Sequence, residues 1–259
     1  MPPGHAVTVQ AVDAGDVRVG VDGHVAVVTM DRPSKRNALT QGMYATISDA
    51  LLQADDDREI GAVVITGTGV AFTAGNDLGE FSSGGPLDEV ARFLVTISSV
   101  RVPLVAAVNG MAVGVGLTML LHCDLVYVEP EAMLSVPFVE LGLVPEAASS
   151  LLLPKVVGER RATELLLSGR RIDGNEAAAW GLANAAVSPA LDAALEAAHR
   201  LADLPPDAVR ATKGLLQSDE ATVQGRIAEE MTAFVEALRG SEFAEVIAAR
   251  AEKRPPIHR

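Results

Sequence analysis

Residues 102–122 carry no formally charged side chain. A run of that length leaves two solutions: a bilayer span, for which about 20 apolar residues suffice, or backbone buried inside a folded core. The punctuation within the run favours the second. Asn109-Gly110 and the glycines at 114 and 116 divide it into a short β-rich piece, a turn and a helix start, as in a buried strand-loop-helix unit. No membrane span is expected.

The same alternation runs along much of the chain. His24-Val-Ala-Val-Val-Thr-Met30 reads as a buried strand ended by Asp31-Arg-Pro33, and residues 1 to about 16 as a loose lead-in. From Thr40 the apolar positions Met43, Ile47, Ala50, Leu51 and Ala54 recur at helical spacing as far as Asp55-Asp-Asp57. Ala62-Val-Val-Ile-Thr66 is a second buried strand. It is followed by a glycine-bearing segment, by Val90, Phe93, Leu94 and Ile97 on one helix face, and by the strand Leu104-Val-Ala-Ala-Val108. A helix starts near Gly116, and Leu125-Val-Tyr-Val128 and Met133-Leu-Ser-Val136 follow. Beyond about residue 155 the pattern is almost wholly helical. There Val223, Ile227, Met231, Phe234, Val235 and Leu238 form a long stripe that serves either packing on the parent domain or an oligomer contact. The layout is an α/β core with a helical C-terminal region.

Composition removes several functions. Aromatic residues make up 3% of the chain and the formal net charge is -13, so nucleic-acid binding is not expected. Any anionic ligand must meet a local basic patch. The lone Cys123 allows no internal disulfide, and the five histidines show no paired metal spacing. No metal site is expected, and with no signal peptide apparent the expected location is cytoplasmic.

Three glycine-bearing segments follow β-rich pieces: Thr73-Ala-Gly-Asn-Asp-Leu78, Asn109-Gly-Met-Ala-Val-Gly-Val-Gly116 and Leu141-Gly-Leu-Val-Pro-Glu146. The second opens a helix, whose first N–H groups lack intrahelical partners and can face an anion or oxyanion. A dinucleotide fingerprint is disfavoured, because Met119 stands where Gly or Ala should follow Gly114-Val-Gly116. Glu146 is the sole ionisable residue between Leu141 and Pro154. It is either a solvated acid at a helix start, with Pro145 beside it, or a base held out of water with a raised pKa.

The ordered set Asp31-Arg-Pro33, Asn37-Ala-Leu39, Ala74-Gly-Asn-Asp-Leu78, Val108-Asn-Gly110, Gly114-Val-Gly116 and Cys123-Asp124 resembles the crotonase (enoyl-CoA hydratase/isomerase) superfamily over residues 17–215. The resemblance implies a crotonase-like spiral of ββα units: an acyl-CoA-binding core over residues 1–200 and a helical region over 201–259 for oligomerisation and a pocket lid. It implies an acyl-CoA thioester as substrate with no separate cofactor, and a homotrimer or dimer of trimers. The thioester oxygen would sit between the main-chain N–H groups of Asn76 and Val115. Lys35 and Arg36 would border the nucleotide end of CoA as the local basic patch, unless they are ordinary turn cations. Ala38, Ala74, Asp77 and Leu78 would complete the CoA site, Ala74 through its carbonyl.

Two glutamates perform hydration in this superfamily. The matching positions here are Thr118 and Phe138, and neither supplies a carboxylate. Isomerisation of a 3-enoyl to a 2-enoyl thioester needs one base, and in the Δ3,Δ2-enoyl-CoA isomerase branch a glutamate stands at the position of Glu146. Pro137-Phe138, Leu141-Gly142-Leu143, Pro145-Glu146, Ser149-Ser150 and Leu204-Pro-Pro-Asp-Ala208 resemble that branch. Ala147-Ala148 departs from it, since Gly commonly follows the glutamate. The expected function is therefore 3-enoyl-CoA isomerisation. The alternatives are hydration or another thioester reaction, and a non-catalytic acyl-CoA binder. Glu140 is either a second acid or, as expected, a surface residue; Asp77 and Asp124 are read as acids bonding main-chain donors, and His122 and Trp180 as packing residues.

Overall fold

A computed structural model of the protein describes residues 12–13, 15–82, 87–217 and 219–257. The strands are β1 (Val12–Asp13), β2 (Val17–Asp22), β3 (Val25–Met30), β4 (Ala62–Gly67), β5 (Ala71–Thr73), β6 (Leu104–Val108), β7 (Met111–Val113), β8 (Leu125–Val128), β9 (Met133–Ser135), β10 (Ile172–Asp173) and β11 (Ala185–Ala186). They form a seven-stranded sheet in the order β1-β2-β3-β4-β6-β8-β11 and a four-stranded sheet in the order β10-β9-β7-β5. From β3 to β11 the large sheet is parallel.

In each of the pairs β4/β5, β6/β7 and β8/β9 the first strand joins the large sheet and the second the small one, with helix following. This is the spiral of ββα units expected from the resemblance. The uncharged run at 102–122 supplies one whole unit: β6, β7, the helix Val115–Thr118 and the 3-10 turn Met119–His122. Among the described residues no helix is long and apolar enough to cross a membrane.

Side-chain alternation in the parallel strands feeds two apolar clusters, one on each face of the large sheet. Val63 and Ile65 of β4 point into the main core, while Ala62 and Val64 join Val105 and Ala107 under Ala194 and Ala198 of the helix Ala190–Ala202. The C-terminal stripe is bound into the main core. Ile227 and Phe234 of the helix Glu220–Leu238 and Phe243 of the helix Ser241–Ala251 are buried there, and Val223, Met231 and Leu238 are partly buried against it.

Two readings need correction. The lead-in, most of which lies outside the described residues, ends in β1, whose Val12 and Asp13 pair with Val19 and Arg18 of β2. The region beyond residue 155 also contains β10 and β11, each of two residues.

The loops over the small sheet are anchored by Asn37, a fully buried residue at φ 56°. Its Nδ2 donates to the carbonyls of Thr68 (3.0 Å), Ala71 (2.7 Å) and Phe72 (3.2 Å), and its Oδ1 accepts from the Arg32 main-chain N–H at 2.9 Å. Asn tolerates the left-handed region better than most residues. Asn37→Ala is expected to cost about 3 kcal/mol, because it strands these partners out of water. Denaturant unfolding measures this, and a loss below about 1 kcal/mol would show that the loops do not depend on the anchor.

Candidate active site

The segment after β5 and the segment after β7 are drawn together because two glycines admit main chain where a Cβ would not fit. A Cβ on Gly75 (φ 87°) would lie 2.7 Å from the Val113 carbonyl oxygen, and one on Gly116 would lie 2.7 Å from Thr73 Cγ2. Leu39 bridges Asn76 in parallel register, accepting from the Asp77 N–H and donating to the Gly75 carbonyl. In such a bridge the N–H of Asn76 itself faces away from Leu39. Val115 is the first residue of the helix Val115–Thr118, entered from Gly114 at φ 57°, ψ -119°, so its N–H has no intrahelical acceptor. Among the described residues neither N–H has an acceptor within the chain. Two main-chain donors are thus left for a ligand oxygen.

Glu146 is buried, at 2% exposure, which removes the reading of a solvated helix-start acid. The helix Ser149–Val157 begins three residues later, and the Glu146 carbonyl accepts from the Ser149 N–H (3.0 Å) and Oγ (2.6 Å). Its Oε1 accepts from Thr118 Oγ1 at 2.5 Å, whereas Oε2 is buried without a partner. Burial pushes the carboxyl up to about 8; the Thr118 bond opposes the rise and the charge of Glu230 adds to it. Ala147 and Ala148 follow at φ 61° and 54°. Both are left-handed, a conformation that glycine adopts without strain, and this gives a physical reason for a glycine at that place in similar proteins.

Thr118 lies three residues after Val115 on one short helix, so this helix carries both the unpaired Val115 N–H and the hydroxyl that bonds the Glu146 carboxylate. A second link runs through Tyr44, fully buried in the helix Gln41–Asp56, whose hydroxyl donates to Asn76 Oδ1. Burial and then the Glu146 charge raise the Tyr44 phenol well above its ordinary value. The Thr118 hydroxyl thus ties Glu146 to the helix that carries the Val115 N–H, and the Tyr44 hydroxyl holds the Asn76 side chain.

A cavity of about 140 Å³ opens beside the donors, with Gly75, Asn76, Gly114, Val115, Phe138 and Phe234 in its walls. Ala74 and Leu78 also line it, while the Glu146 carboxylate does not. Lys35 and Arg36 are exposed at the end of the 3-10 turn Pro33–Lys35 and form no ion pair among the described residues. The Ala38 carbonyl accepts from Arg32 at 3.0 Å. Asp77 is engaged structurally: Oδ2 accepts from Arg32 at 2.6 Å and Oδ1 from the Gly79 N–H at 2.9 Å, and the Arg32 bond foremost holds its carboxyl below the usual range. Asp124 accepts from the Leu104 N–H and from Lys213, each at 2.7 Å. Glu140 is exposed, and the guanidinium groups of Arg161 and Arg170 each lie over the Trp180 ring.

Sequence reasoning missed Tyr44, the donor role of Thr118, and Glu230. Tyr44 lies three residues before Ile47 and seven before Leu51 on one helical face, and Glu230 interrupts the apolar stripe between Ile227 and Phe234. Both signals were readable. That Thr118 points at Glu146, 28 residues away, was not.

Residues 20–259 match the family model described as enoyl-CoA hydratase/isomerase. The chain is 37% identical over 233 residues to enoyl-CoA delta isomerase 2 of Rattus norvegicus, covering 85% of this chain but 59% of that protein. It is 36% identical over 208 residues to a Mycobacterium tuberculosis protein named as probable enoyl-CoA hydratase EchA14, covering 78% and 81% of the two chains. The crystal structure of an enoyl-CoA hydratase/isomerase from Pseudoalteromonas atlantica superposes with a TM-score of 0.92 at 42% identity, covering 95% of this chain and 100% of that one.

Proposed function

Because the chain belongs to the enoyl-CoA hydratase/isomerase family, we propose that it moves the double bond of a 3-enoyl-CoA to the 2-position, with Glu146 as the single proton carrier. The observation that carries this reading is the bond from Thr118 to Glu146. At a position where a hydratase would place a carboxylate, this chain places a hydroxyl that donates to the one remaining base.

The Glu146 carboxylate takes a proton from C2, and the electron pair delocalises onto the thioester oxygen, which accepts from the Asn76 and Val115 N–H groups. Each such donor is typically worth about 2.7–4 kcal/mol in the transition state. The protonated Glu146 then returns the proton to C4, so no net charge or proton is left behind. Lys35 and Arg36 meet CoA phosphates in this reading, offering cations in a protein of net charge -13, and the Ala74 carbonyl accepts from the adenine. Hydration is the second reading, since relatives carry that name; it requires a water activated without a second buried carboxylate at Thr118 or Phe138.

The test is conversion of 3-enoyl-CoA by the purified protein across pH. The base acts as carboxylate and its proton is held up to about pH 8. Hence kcat/KM is expected to rise about tenfold per pH unit below pH 8 and level off above it. A profile flat from pH 6 to 9 would remove Glu146 as the base.

A further inference from the structure

The core-facing side of the helix Glu220–Leu238 buries one carboxylate, Glu230, between Ile227 and Phe234. Glu230 is 7% exposed; its Oε1 accepts from the Ser150 main-chain N–H at 3.0 Å, and its Oε2 is buried without a partner. Glu146 repeats this pattern, one oxygen bonded and one orphaned. One helical turn before Glu230, Arg226 donates to Ser150 Oγ at 3.3 Å and pairs with Glu229 at 3.2 Å. Two turns of one helix thus grip the same serine. Between that serine and Glu146 lie the left-handed Ala147 and Ala148, each conformation costing roughly 1–2 kcal/mol. On the other side His122 Nε2 bonds the Ala147 carbonyl at 2.8 Å. Ala148 supplies no side-chain cap to the helix Ser149–Val157, and Glu230 provides from a distant helix the acceptor that a capping side chain would.

We propose that Glu230 is a positioning residue for Glu146: its carboxylate holds the turn at residues 147–150 and sets a second buried negative charge beside the base. The proposal rests on the proton-carrier reading only in that Glu146 is the base; the interaction between the two carboxylates is measurable without turnover. The groups facing Glu146 are Tyr44 from the helix Gln41–Asp56, Thr118 from the helix Val115–Thr118, His122 behind the Ala147 carbonyl, and Glu230. Burial raises the Tyr44 phenol and lowers His122 to about 4, so both are uncharged near neutrality. Burial also raises Glu230, against the opposing Ser150 and Ala148 bonds and the Arg226 charge. Of these groups, Glu230 is the one whose charge raises Glu146.

An infrared difference titration of the ligand-free protein tests this, with Glu146→Gln identifying the Glu146 band. Glu230→Gln keeps an oxygen for the Ser150 N–H but removes the charge. The expected midpoint for Glu146 is near pH 8 in the parent and about one pH unit lower in Glu230→Gln. Glu229→Gln, which removes an exposed charge one residue away, is expected to leave the midpoint in place. In turnover, the rising limb of kcat/KM should move to lower pH by the same amount. Glu230→Ala should lower kcat about tenfold with KM little changed, and Glu230→Gln should restore most of that loss. A folded Glu230→Gln protein with an unmoved midpoint overturns the proposal, as does an equal shift from Glu229→Gln. A shifted midpoint in a protein that never turns over 3-enoyl-CoA supports the coupling while refuting the isomerase reading.

Discussion

Glu146→Gln is expected to lower kcat for 3-enoyl-CoA isomerisation by about 10³-fold, within the range usual for a lost general base, while the protein stays folded. The change keeps the side-chain length and an oxygen for the Thr118 hydroxyl but removes the capacity to accept a proton. The same substitution should raise stability at alkaline pH. The folded protein holds the Glu146 proton to about pH 8, whereas an unfolded glutamate releases it near pH 4.3. A group whose folded pKa is raised contributes stability in full below the unfolded value and loses it as pH rises through the folded one. In the parent, stability should therefore fall between about pH 4 and pH 8, whereas Gln has no charge to bury. Thermal unfolding should place the variant above the parent at pH 9, by a margin on the order of a few kcal/mol, with much of that advantage gone at pH 4. An inactive variant that is also destabilised at pH 9 would indicate that Glu146 is ionised and paired in the resting protein.

The second large effect is expected from Val115→Pro, which deletes the N–H proposed as an oxyanion donor and little else. Val115 is the first residue of its helix, a position where the missing N–H of proline breaks no helical bond and its fixed φ is already suitable. The residue before a proline is pushed away from the helical region. Gly114, at φ 57° and ψ -119°, already lies in the mirror image of the extended region. The substitution therefore spares the fold, apart from some packing lost from the buried valine. A fall of 10²- to 10³-fold in kcat is expected, the usual cost of one oxyanion donor. KM should stay near that of the parent, because the developing charge is stabilised more than the ground state. Steady-state kinetics with a thermal-unfolding control measures this, and near-parental kcat in a folded variant would show that the Val115 amide takes no part.

The parts of the fold that were legible in the sequence are those where burial imposes a period. β3, β4 and β6 are short apolar runs because both of their faces are covered, and the helix Asp88–Ser99 shows its inner face as Val90, Phe93, Leu94 and Ile97. β2 escaped notice because Arg18, Gly20 and Asp22 interrupt its apolar positions; its identity comes from full antiparallel pairing with β3 around the Asp22-Gly23 turn. β10 and β11 are two residues each, too short to carry a period. At the site, the isolation of Glu146 in an apolar stretch left a solvated helix start and a buried acid both open, and its partners could not be read from spacing. Thr118, Tyr44 and Glu230 reach the surroundings of Glu146 from three separate helices, and only the packing of those helices brings them together.

The most direct test of a one-carboxylate isomerase is product analysis of the purified protein supplied in parallel with 3-enoyl-CoA and 2-enoyl-CoA over a series of acyl lengths. The expected result is steady conversion of 3-enoyl- to 2-enoyl-CoA with no comparable formation of 3-hydroxyacyl-CoA. Formation of 3-hydroxyacyl-CoA from 2-enoyl-CoA at an equal or greater rate, or no turnover of either substrate, would contradict it.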